Sequence, residues 1–260
     1  MKPIHSILLI ALWQAVTASP AFAVDQFAQI RSAGVFRIGT EGTYEPFTYH
    51  DESGKLTGFD VELGTAIAQR LGVKPQFVES RWDGLIAGLD LNRYDAVINE
   101  VAVTPAREAK YDYSDPYITS YAVLIVASDN TTIRTFDDLK GRKSANTLTS
   151  NLGKIAAAHG AQVIPAPGFN ESIDLLTSGR VDATVNDSLT FLDFSKRNPN
   201  AKVKVAALDT SPDSSDKSAV LIRKGSPRLR AAINKALTDI RKDGTYGRIS
   251  QKYFGKDMYQ

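Results

Sequence analysis

An arginine in the first turn of a short predicted helix is the residue with the clearest chemical role. Thr104 suits a helix N-cap, Pro105 suits the first helical position, and Arg107 follows two residues later. The helix dipole is positive at this end and favours acids, so a cation there needs an anion nearby. That anion is either a neighbouring carboxylate of the chain or the carboxylate of a ligand, which a planar guanidinium fits well.

Two acids stand at matching ends of two similar segments. Residues 83–100 and 170–187 align without a gap, each as a helix, a polar turn and a strand that finishes in Asn followed by an acid. Any two α/β units share some of these features. The Asn–acid ends are more specific, because open α/β sheets bind ligands at the carboxyl edge of their strands. Glu100 and Asp187 are therefore either loop carboxylates in water or partners for the ammonium group of a ligand.

Hydroxyl and aromatic side chains lie near other predicted ends of strands and helices. Thr149 and Ser150 precede a predicted helix, where they either cap it or help its backbone N–H groups to hold an anion. Tyr44, Phe47 and Trp82 lie just beyond predicted strands. Aromatic residues in such places usually pack in a core, but these three could also form the walls of a small pocket.

Several classes of chemistry are excluded by what the sequence lacks. It has no Cys, and its three His show no metal-ligand spacing. The motifs of serine hydrolases, zinc proteases, P-loops and dinucleotide-binding folds are also missing. The 31 basic and 29 acidic residues give a net charge of only +2, which is no basis for binding nucleic acid. We therefore predict no catalytic residue, no metal or other cofactor, and no nucleic-acid partner.

Strands and helices alternate along the chain after residue 34. A strand at 35–39 is followed by a helix that we expect to be capped by Asp60 and closed by Gly72, and then by a strand at 74–78. The alternation begins again near Tyr121 and ends in a long helix. This order predicts βαβ units, and hence an α/β fold with mainly parallel sheets covered by helices.

The N-terminus has the pattern of a secretory signal peptide. Lys2 is followed by a mostly apolar run at 4–16 and then by Ala21-Phe22-Ala23, a small-x-small cleavage pattern. The apolar run is shorter than the roughly 20 residues that a membrane-spanning helix needs. We therefore predict that residues 1–23 are removed and that the protein is exported.

Six short motifs run in order through nearly all of the chain that follows. They are GTEGTYEPF (39–47), GFDVE (58–62), WDGL (82–85), YDAVIN (94–99), TPAR (104–107) and YDYSDPY (111–117). As a set they resemble the bacterial extracellular solute-binding proteins of family 3, the polar amino acid receptors of ABC importers. A finer resemblance, to the cystine-binding members, is carried by EGTY (41–44), WDG (82–84), IN (98–99) and LTSN (148–151).

This resemblance implies the two-lobed periplasmic-binding-protein fold of type II. Each lobe is expected to have a mainly parallel sheet flanked by helices, and two hinge strands should join the lobes. We place lobe 1 at residues 27–119 plus 217–260 and lobe 2 at residues 120–216, because the strand–helix pattern begins again between them.

The resemblance also implies which residues meet the ligand. Arg107 would bind the α-carboxylate of an amino acid, together with Ser150 and the backbone near Ala102. Asp187 would receive the α-ammonium group. The other implied contacts, to the ligand side chain and the cleft floor, are Tyr44, Phe47, Trp82 and Asn99.

Two positions in this predicted site depart from the family pattern. Thr149 stands where many members have glycine, so the backbone there should approach a carboxylate less freely. Glu100 stands where several members have an uncharged residue, and if it faces the cleft it should favour a ligand with an additional cationic group.

The function predicted on these grounds is that of a monomeric periplasmic receptor. It would trap a free polar amino acid, with cystine as the first candidate, and deliver it to the permease of an ABC importer. One alternative is an exported dehydratase of the same fold that acts on prephenate-like substrates. Another is the soluble sensing component of a signalling receptor.

Overall fold

The computed structural model describes residues 25–209 and 215–259, so the predicted signal peptide lies outside the described residues. The strands are β1 (Val35–Thr40), β2 (Thr43–Tyr44), β3 (Thr48–His50), β4 (Leu56–Thr57), β5 (Lys74–Glu79), β6 (Ala96–Val97), β7 (Tyr111–Tyr113), β8 (Ile118–Ala127), β9 (Lys143–Asn146), β10 (Gln162–Pro165), β11 (Ala183–Asp187), β12 (Val203–Leu208), β13 (Ser215–Ser218) and β14 (Leu221–Arg223). The helices are α1 (Gln26–Ala33), α2 (Phe59–Leu71), α3 (Trp82–Asp90), α4 (Pro105–Glu108), α5 (Asn151–Ala158), α6 (Phe169–Thr177), α7 (Ser188–Arg197), α8 (Pro227–Lys242) and α9 (Thr245–Phe254), with a 3-10 helix at Phe136–Leu139.

The first sheet has the strand order β5-β1-β6-β14-β7. Strand β1 pairs in parallel with β5 and β6, whereas β14 runs antiparallel to β6 and β7. Helices α1, α2 and α3 pack directly on β1, and α8 and α9 pack on α2. We call this sheet and its helices lobe 1.

The second sheet has the strand order β10-β9-β11-β8-β12. Strand β9 pairs in parallel with β10 and β11, and β8 runs antiparallel to β11 and β12. Helices α5, α6 and α7 pack against these strands. We call this second sheet and its helices lobe 2.

Two strands, β8 and β13, join the lobes. The chain passes from β7 of lobe 1 into β8, and from β13 into β14 of lobe 1. The first part of β8 pairs antiparallel with β13, from Ile118 opposite Ser218 to Tyr121 opposite Ser215. The rest of β8, from Ala122 onward, pairs with β11 inside lobe 2. The two-lobed α/β fold with two crossing strands is thereby confirmed, whereas the residue limits of the lobes stay a prediction.

The sheets are mixed, although the resemblance implied mainly parallel ones. Parallel pairs occupy one half of each sheet, at β5-β1-β6 in lobe 1 and β10-β9-β11 in lobe 2. The antiparallel strands are β8, which crosses into lobe 2, and β14, which follows the crossing strand β13 into lobe 1. The parallel strands of each lobe end at the edge that faces the cleft. A strand that enters the lobe from the cleft starts at this edge and runs away from it, so it is antiparallel to them.

The core of lobe 1 explains its helical boundaries. Helix α8 begins at Ser226-Pro227 as the sequence predicts, and its apolar stripe of Leu229, Ile233, Leu237 and Ile240 is fully buried.

The expectation that Asp60 caps α2 is wrong, because the N-cap is Gly58 and Asp60 lies in the first turn. Gly58 has φ 128°, and a side chain there would collide with the backbone of Phe47. Among the described residues, the helices include none with the length and apolar character of a bilayer span.

Candidate functional site

A cavity lies between the two lobes and has walls from both. It leaves about 510 Å³ unoccupied by protein atoms, including its opening to solvent, which is within the usual size range of small-molecule sites. The lining residues of lobe 1 are Glu41, Tyr44, Trp82, Asn99 and Glu100. Those of lobe 2 are Asn146, Thr147, Ser150, Asn151, Leu152, Gly168, Phe169, Ser172 and Asn186. The walls are rich in amide and hydroxyl groups, which suits a polar ligand.

Arg107 is buried beside this cavity at the first turn of α4. Thr104 caps the helix by accepting a hydrogen bond from the Arg107 backbone N–H at 3.3 Å, and Pro105 occupies the first turn, as the sequence predicts. The guanidinium donates from Nη1 to the carbonyl oxygen of Ala102 at 2.9 Å and lies 5.3 Å from the centre of the Trp82 ring. This carbonyl and cation–π contact hold the charge in a fixed place. Arg107 is not among the residues that line the cavity, whereas Trp82, which its guanidinium contacts, is one of them.

The three predicted aromatic residues have different positions. Trp82, at the start of α3, and Tyr44, in β2, both line the cavity. Phe47 does not: it is fully buried in the core of lobe 1, packed against Tyr44, Phe59 and Phe254. The expectation of a wall at Phe47 is therefore corrected. Phe47 supports the site indirectly, because its ring is stacked on that of Tyr44 with centroids 5.8 Å apart.

Asn99 lies on the cavity wall and fixes Glu41 in place. The Asn99 Oδ1 atom accepts from the Thr40 hydroxyl at 3.0 Å and from the Glu41 backbone N–H at 2.7 Å. Its Nδ2 donates to Glu41 Oε2 at 2.7 Å. Burial raises the pKa of the Glu41 carboxyl to about 7, although the hydrogen bond from Asn99 opposes this rise. Glu41 thus presents to the cavity a carboxyl group whose pKa is raised by its burial.

Glu100 and Asp187 are buried carboxyl groups, one from each lobe. Glu100 follows β6 in lobe 1, lines the cavity and has φ 48°, a left-handed conformation that non-glycine residues seldom adopt. Its backbone N–H donates to Asp60 Oδ2 at 2.5 Å, which helps to hold this conformation. Asp187 ends β11 and caps α7 of lobe 2, where its Oδ1 accepts from the backbone N–H groups of Leu189 at 2.8 Å and Thr190 at 3.1 Å. Burial raises the pKa of Asp187.

Ser150 and Thr149 precede α5 but differ in exposure and role. Ser150 is buried, lines the cavity and caps the helix by accepting from the Gly153 N–H at 2.9 Å. Its hydroxyl donates to the Thr147 carbonyl at 2.9 Å, so a ligand anion would compete for that proton. Thr149 is exposed and lies outside the cavity lining; its hydroxyl donates to Asp83 of lobe 1 at 2.7 Å. The structure thus places Thr149 at a contact between the lobes.

The two lobes contact each other on several sides of the cavity. The contacts are Tyr44 Oη with Asn186 Oδ1 at 3.1 Å, Thr149 with Asp83, and the ion pair of Arg197 Nη2 with Glu45 Oε2 at 2.7 Å. Tyr44 also packs against the cores of both lobes. The structure therefore has the cleft in a closed arrangement.

Sequence reasoning missed most of the lobe 2 wall. The missed lining residues are Asn146, Thr147, Leu152, Gly168, Phe169 and Ser172, whereas Glu41, Asn151 and Asn186 were named only within motifs. Asn146 ends β9, and Asn186 immediately precedes Asp187. Their position at the end of a strand was the signal that could have identified them, because strand ends meet at the edge of the sheet where ligands bind. Among the described residues, His, Asp and Glu form no group that could hold a metal ion.

The sequence matches the model of the bacterial extracellular solute-binding proteins, family 3, over residues 36–256. It is 46% identical to the L-cystine-binding protein TcyA of Bacillus subtilis (strain 168), over 90% of this chain and 86% of that protein. It also matches the solved structure of the L-cystine solute receptor of Neisseria gonorrhoeae in the unliganded open conformation, with 42% identity, a TM-score of 0.60, and coverage of 90% of this chain and 98% of that chain.

A second solved structure has a higher TM-score than the first. This is an ancestral arginine-binding protein bound to arginine, with 40% identity, a TM-score of 0.79, and coverage of 85% of this chain and 99% of that chain. The identities to the two structures are similar, yet the TM-score is higher for the ligand-bound protein than for the open one. This difference agrees with the contacts between the lobes described above.

Proposed function

This chain belongs to the bacterial extracellular solute-binding proteins of family 3, and from that premise we propose that it binds L-cystine in the cleft. The observation that carries the proposal is the cavity with polar walls from both lobes, which Glu100 lines and beside whose Trp82 wall the buried Arg107 lies. The relative at 46% identity is named as an L-cystine-binding protein, which supports cystine over other amino acids.

The proposed orientation follows from charge. The ligand α-carboxylate binds Arg107 and the hydroxyl of Ser150, because guanidinium and hydroxyl groups donate to an anion. The α-ammonium group binds the carboxyl groups of Asp187 and Glu100. Trp82 and Tyr44 flank the ligand, and Asn99 lies beneath it. Cystine has an ammonium group and a carboxylate at each end, so its second end requires polar partners such as the amide groups of the lobe 2 wall.

The proposed mechanism is closure of the lobes around the ligand. An open form binds the amino acid on one lobe, and the second lobe then adds its own contacts. The ligand shifts the equilibrium toward the closed form because it touches both lobes only in that form. The lobes move relative to each other about a hinge in β8 and β13, the two paired strands that join them. In the closed form the monomeric receptor docks on the permease of an ABC importer in the periplasm, after removal of residues 1–23.

The alternative of an exported dehydratase has less support. The matching family and the relative described above are solute-binding proteins, and nothing among the described residues favours a dehydration reaction. Incubation with prephenate should therefore yield no aromatic product, and formation of such a product at a steady rate would contradict the assignment.

A thermal-shift screen tests the proposed function. The purified mature protein is heated in the presence of each common amino acid and of L-cystine. A ligand that binds the native state alone raises the midpoint, by an amount that corresponds to about 2.7 kcal/mol at 100 times Kd. We expect the largest rise with L-cystine and smaller rises with other polar amino acids. No rise with any amino acid would contradict the proposal.

A further inference from the structure

The backbone at Glu100 has a conformation that its side chain makes unfavourable. Its φ of 48° lies in the left-handed region, where the β-carbon comes too close to a carbonyl oxygen of the chain. Asparagine tolerates this region better, and Asn92 is the other non-glycine residue with a positive φ in the part of the chain that the structure describes. Contacts from the surrounding structure must therefore hold residue 100 in this conformation.

Asp60 provides one such contact. Its Oδ2 accepts a hydrogen bond from the Glu100 backbone N–H at 2.5 Å, and the Tyr117 Oη accepts from the same N–H at 3.2 Å. Asp60 lies in the first turn of α2 and is fully buried. Its second oxygen, Oδ1, has no hydrogen-bond partner among the described residues. The bond to Glu100 thus connects this buried carboxyl group to a residue of the cavity wall.

Stabilisation of α2 does not account for Asp60. An acid in the first turn interacts favourably with the helix dipole, and Glu62 is a second acid in the same turn. No side chain caps the helix, however, and Asp60 Oδ2 bonds to Glu100 rather than to a backbone N–H of α2. Burial of a carboxyl group costs free energy, and it raises the pKa of Asp60 to about 7. This cost is explained if the carboxyl group serves the ligand site.

The left-handed backbone determines where the carboxyl group of Glu100 lies. Its Oε1 accepts from the hydroxyls of Ser120 at 3.0 Å and Ser218 at 3.2 Å, which belong to the two crossing strands. Glu100 also lines the cavity. The direction of the Cα–Cβ bond changes with φ, so a residue 100 that relaxed to a negative φ would carry its carboxyl group away from these hydroxyls and from the cavity.

We propose that Asp60 is a positioning residue of the ligand site. By accepting the hydrogen bond of the Glu100 backbone N–H, it holds residue 100 in the left-handed conformation and thereby keeps the Glu100 carboxyl group beside Ser120 and Ser218 in the cavity wall. This inference rests on the proposed function, in which that carboxyl group binds the ammonium group of the ligand. Asp60 does not touch the ligand and acts through Glu100.

A double-mutant cycle tests this role. Binding of L-cystine is measured by calorimetry for the wild type, Asp60→Ala, Glu100→Gly and the double variant. We expect Asp60→Ala to weaken binding about five- to thirtyfold in the wild-type background, which corresponds to the cost of the left-handed conformation at a non-glycine residue. Glycine adopts this conformation freely and has no carboxyl group to orient. In the Glu100→Gly background, Asp60→Ala should therefore cause no further loss.

Two matched variants separate positioning from a general effect on the fold. Asp60→Asn keeps an acceptor oxygen and should retain most of the affinity. Glu62→Ala removes the other acid of the same turn, whose Oε1 accepts from the Tyr253 hydroxyl at 2.7 Å, and should weaken binding in neither background. Circular dichroism and melting curves check that each variant is folded. Asp60→Leu, which is closer in shape to aspartate, replaces Asp60→Ala if the latter does not fold.

The outcomes are distinguishable. Equal losses from Asp60→Ala in the two backgrounds, or equal losses in Asp60→Ala and Asp60→Asn, would overturn the inference. If Glu100→Gly abolishes binding, a crystal structure of Asp60→Ala provides the test. Residue 100 should then leave the left-handed region and Glu100 Oε1 should lose its contacts with Ser120 and Ser218, whereas an unchanged φ near 48° would overturn the inference. Failure of the wild type to bind any amino acid would instead overturn the proposed function.

Discussion

Short sequence patterns predict the positions of Arg107, Asn99 and Glu100 at the ends of helices and strands. The neighbours that hold each side chain in place are not visible in those patterns. The sequence predicts the cap at Thr104 and the cation behind it, because capping depends on a few adjacent residues. It does not predict that Phe47 is covered by Tyr44, since burial depends on side chains far away in the chain. The solvated-loop interpretation of Glu100 and Asp187 is wrong, because both are buried, and each accepts hydrogen bonds from groups of the protein.

Replacing Arg107 tests the carboxylate side of the site. We expect Arg107→Ala to weaken L-cystine binding by at least about 1.5–3 kcal/mol, the range for a hydrogen bond to a charged group. Arg93→Ala, which removes an exposed arginine outside the cavity, should bind as the wild type does. Isothermal calorimetry measures both. Unchanged affinity in a folded Arg107→Ala variant would rule out the proposed role of this residue.

Asp60, behind Glu100, should make the stability of the fold depend on pH. Burial raises its pKa from 3.8 to about 7, so the folded protein binds this proton more tightly than the unfolded chain. The free energy of unfolding should therefore fall as pH rises from about 4 to about 7, by on the order of 2–4 kcal/mol from this residue.

Asp60→Asn should remove most of this fall, because the amide does not titrate. Urea denaturation at about pH 5 and about pH 8 measures the change, and Asp129→Asn, which alters an exposed acid, should keep the wild-type dependence. The same fall in wild type and Asp60→Asn would show that another group is responsible.

The strands and helices that position the site are largely predictable, and the contacts between them are not. The helical periodicity of α8 and the cap of α5 follow from local sequence, and the structure confirms both. Helix α9 and the antiparallel direction of β14 were not predicted. The direction of β14 is set by its connection to β13, a strand that crosses between the lobes. No local sequence pattern predicts that crossing.

The ion pair of Arg197 in α7 with Glu45 should contribute to closure of the cleft. Both side chains are partly exposed to solvent, so the pair is worth about 0.2–1 kcal/mol. Arg197→Ala should weaken L-cystine binding by no more than about fivefold. It should also reduce the salt dependence of the affinity, since screening weakens the wild-type pair.

The matched control for this change is Lys196→Ala, which removes the adjacent exposed charge. Calorimetry at low and high salt compares the two variants with the wild type. An affinity loss much larger than fivefold in Arg197→Ala would mean that the pair does more than hold the lobes together. No loss at either salt concentration would mean that it does not contribute.

At the scale of the whole molecule, the alternation of strands and helices predicts α/β units, and the family motifs predict their arrangement in two lobes. The path of the crossing strands and the lobe 2 wall of the cavity required the structure, because they depend on how separate segments meet in space. The closed arrangement and the match to a ligand-bound amino acid-binding protein fit a receptor that encloses its solute.

The central claim is that an amino acid lies between the lobes with its carboxylate at Arg107 and its ammonium group at Asp187. A crystal structure of the protein grown with L-cystine tests this most directly. The account predicts ligand density in the cavity lined by Trp82 and Asn186, a carboxylate within hydrogen-bonding distance of Arg107 and Ser150, and an ammonium group between Glu100 and Asp187. Density for the ligand on one lobe alone, or with the two charged groups in reversed places, would contradict it.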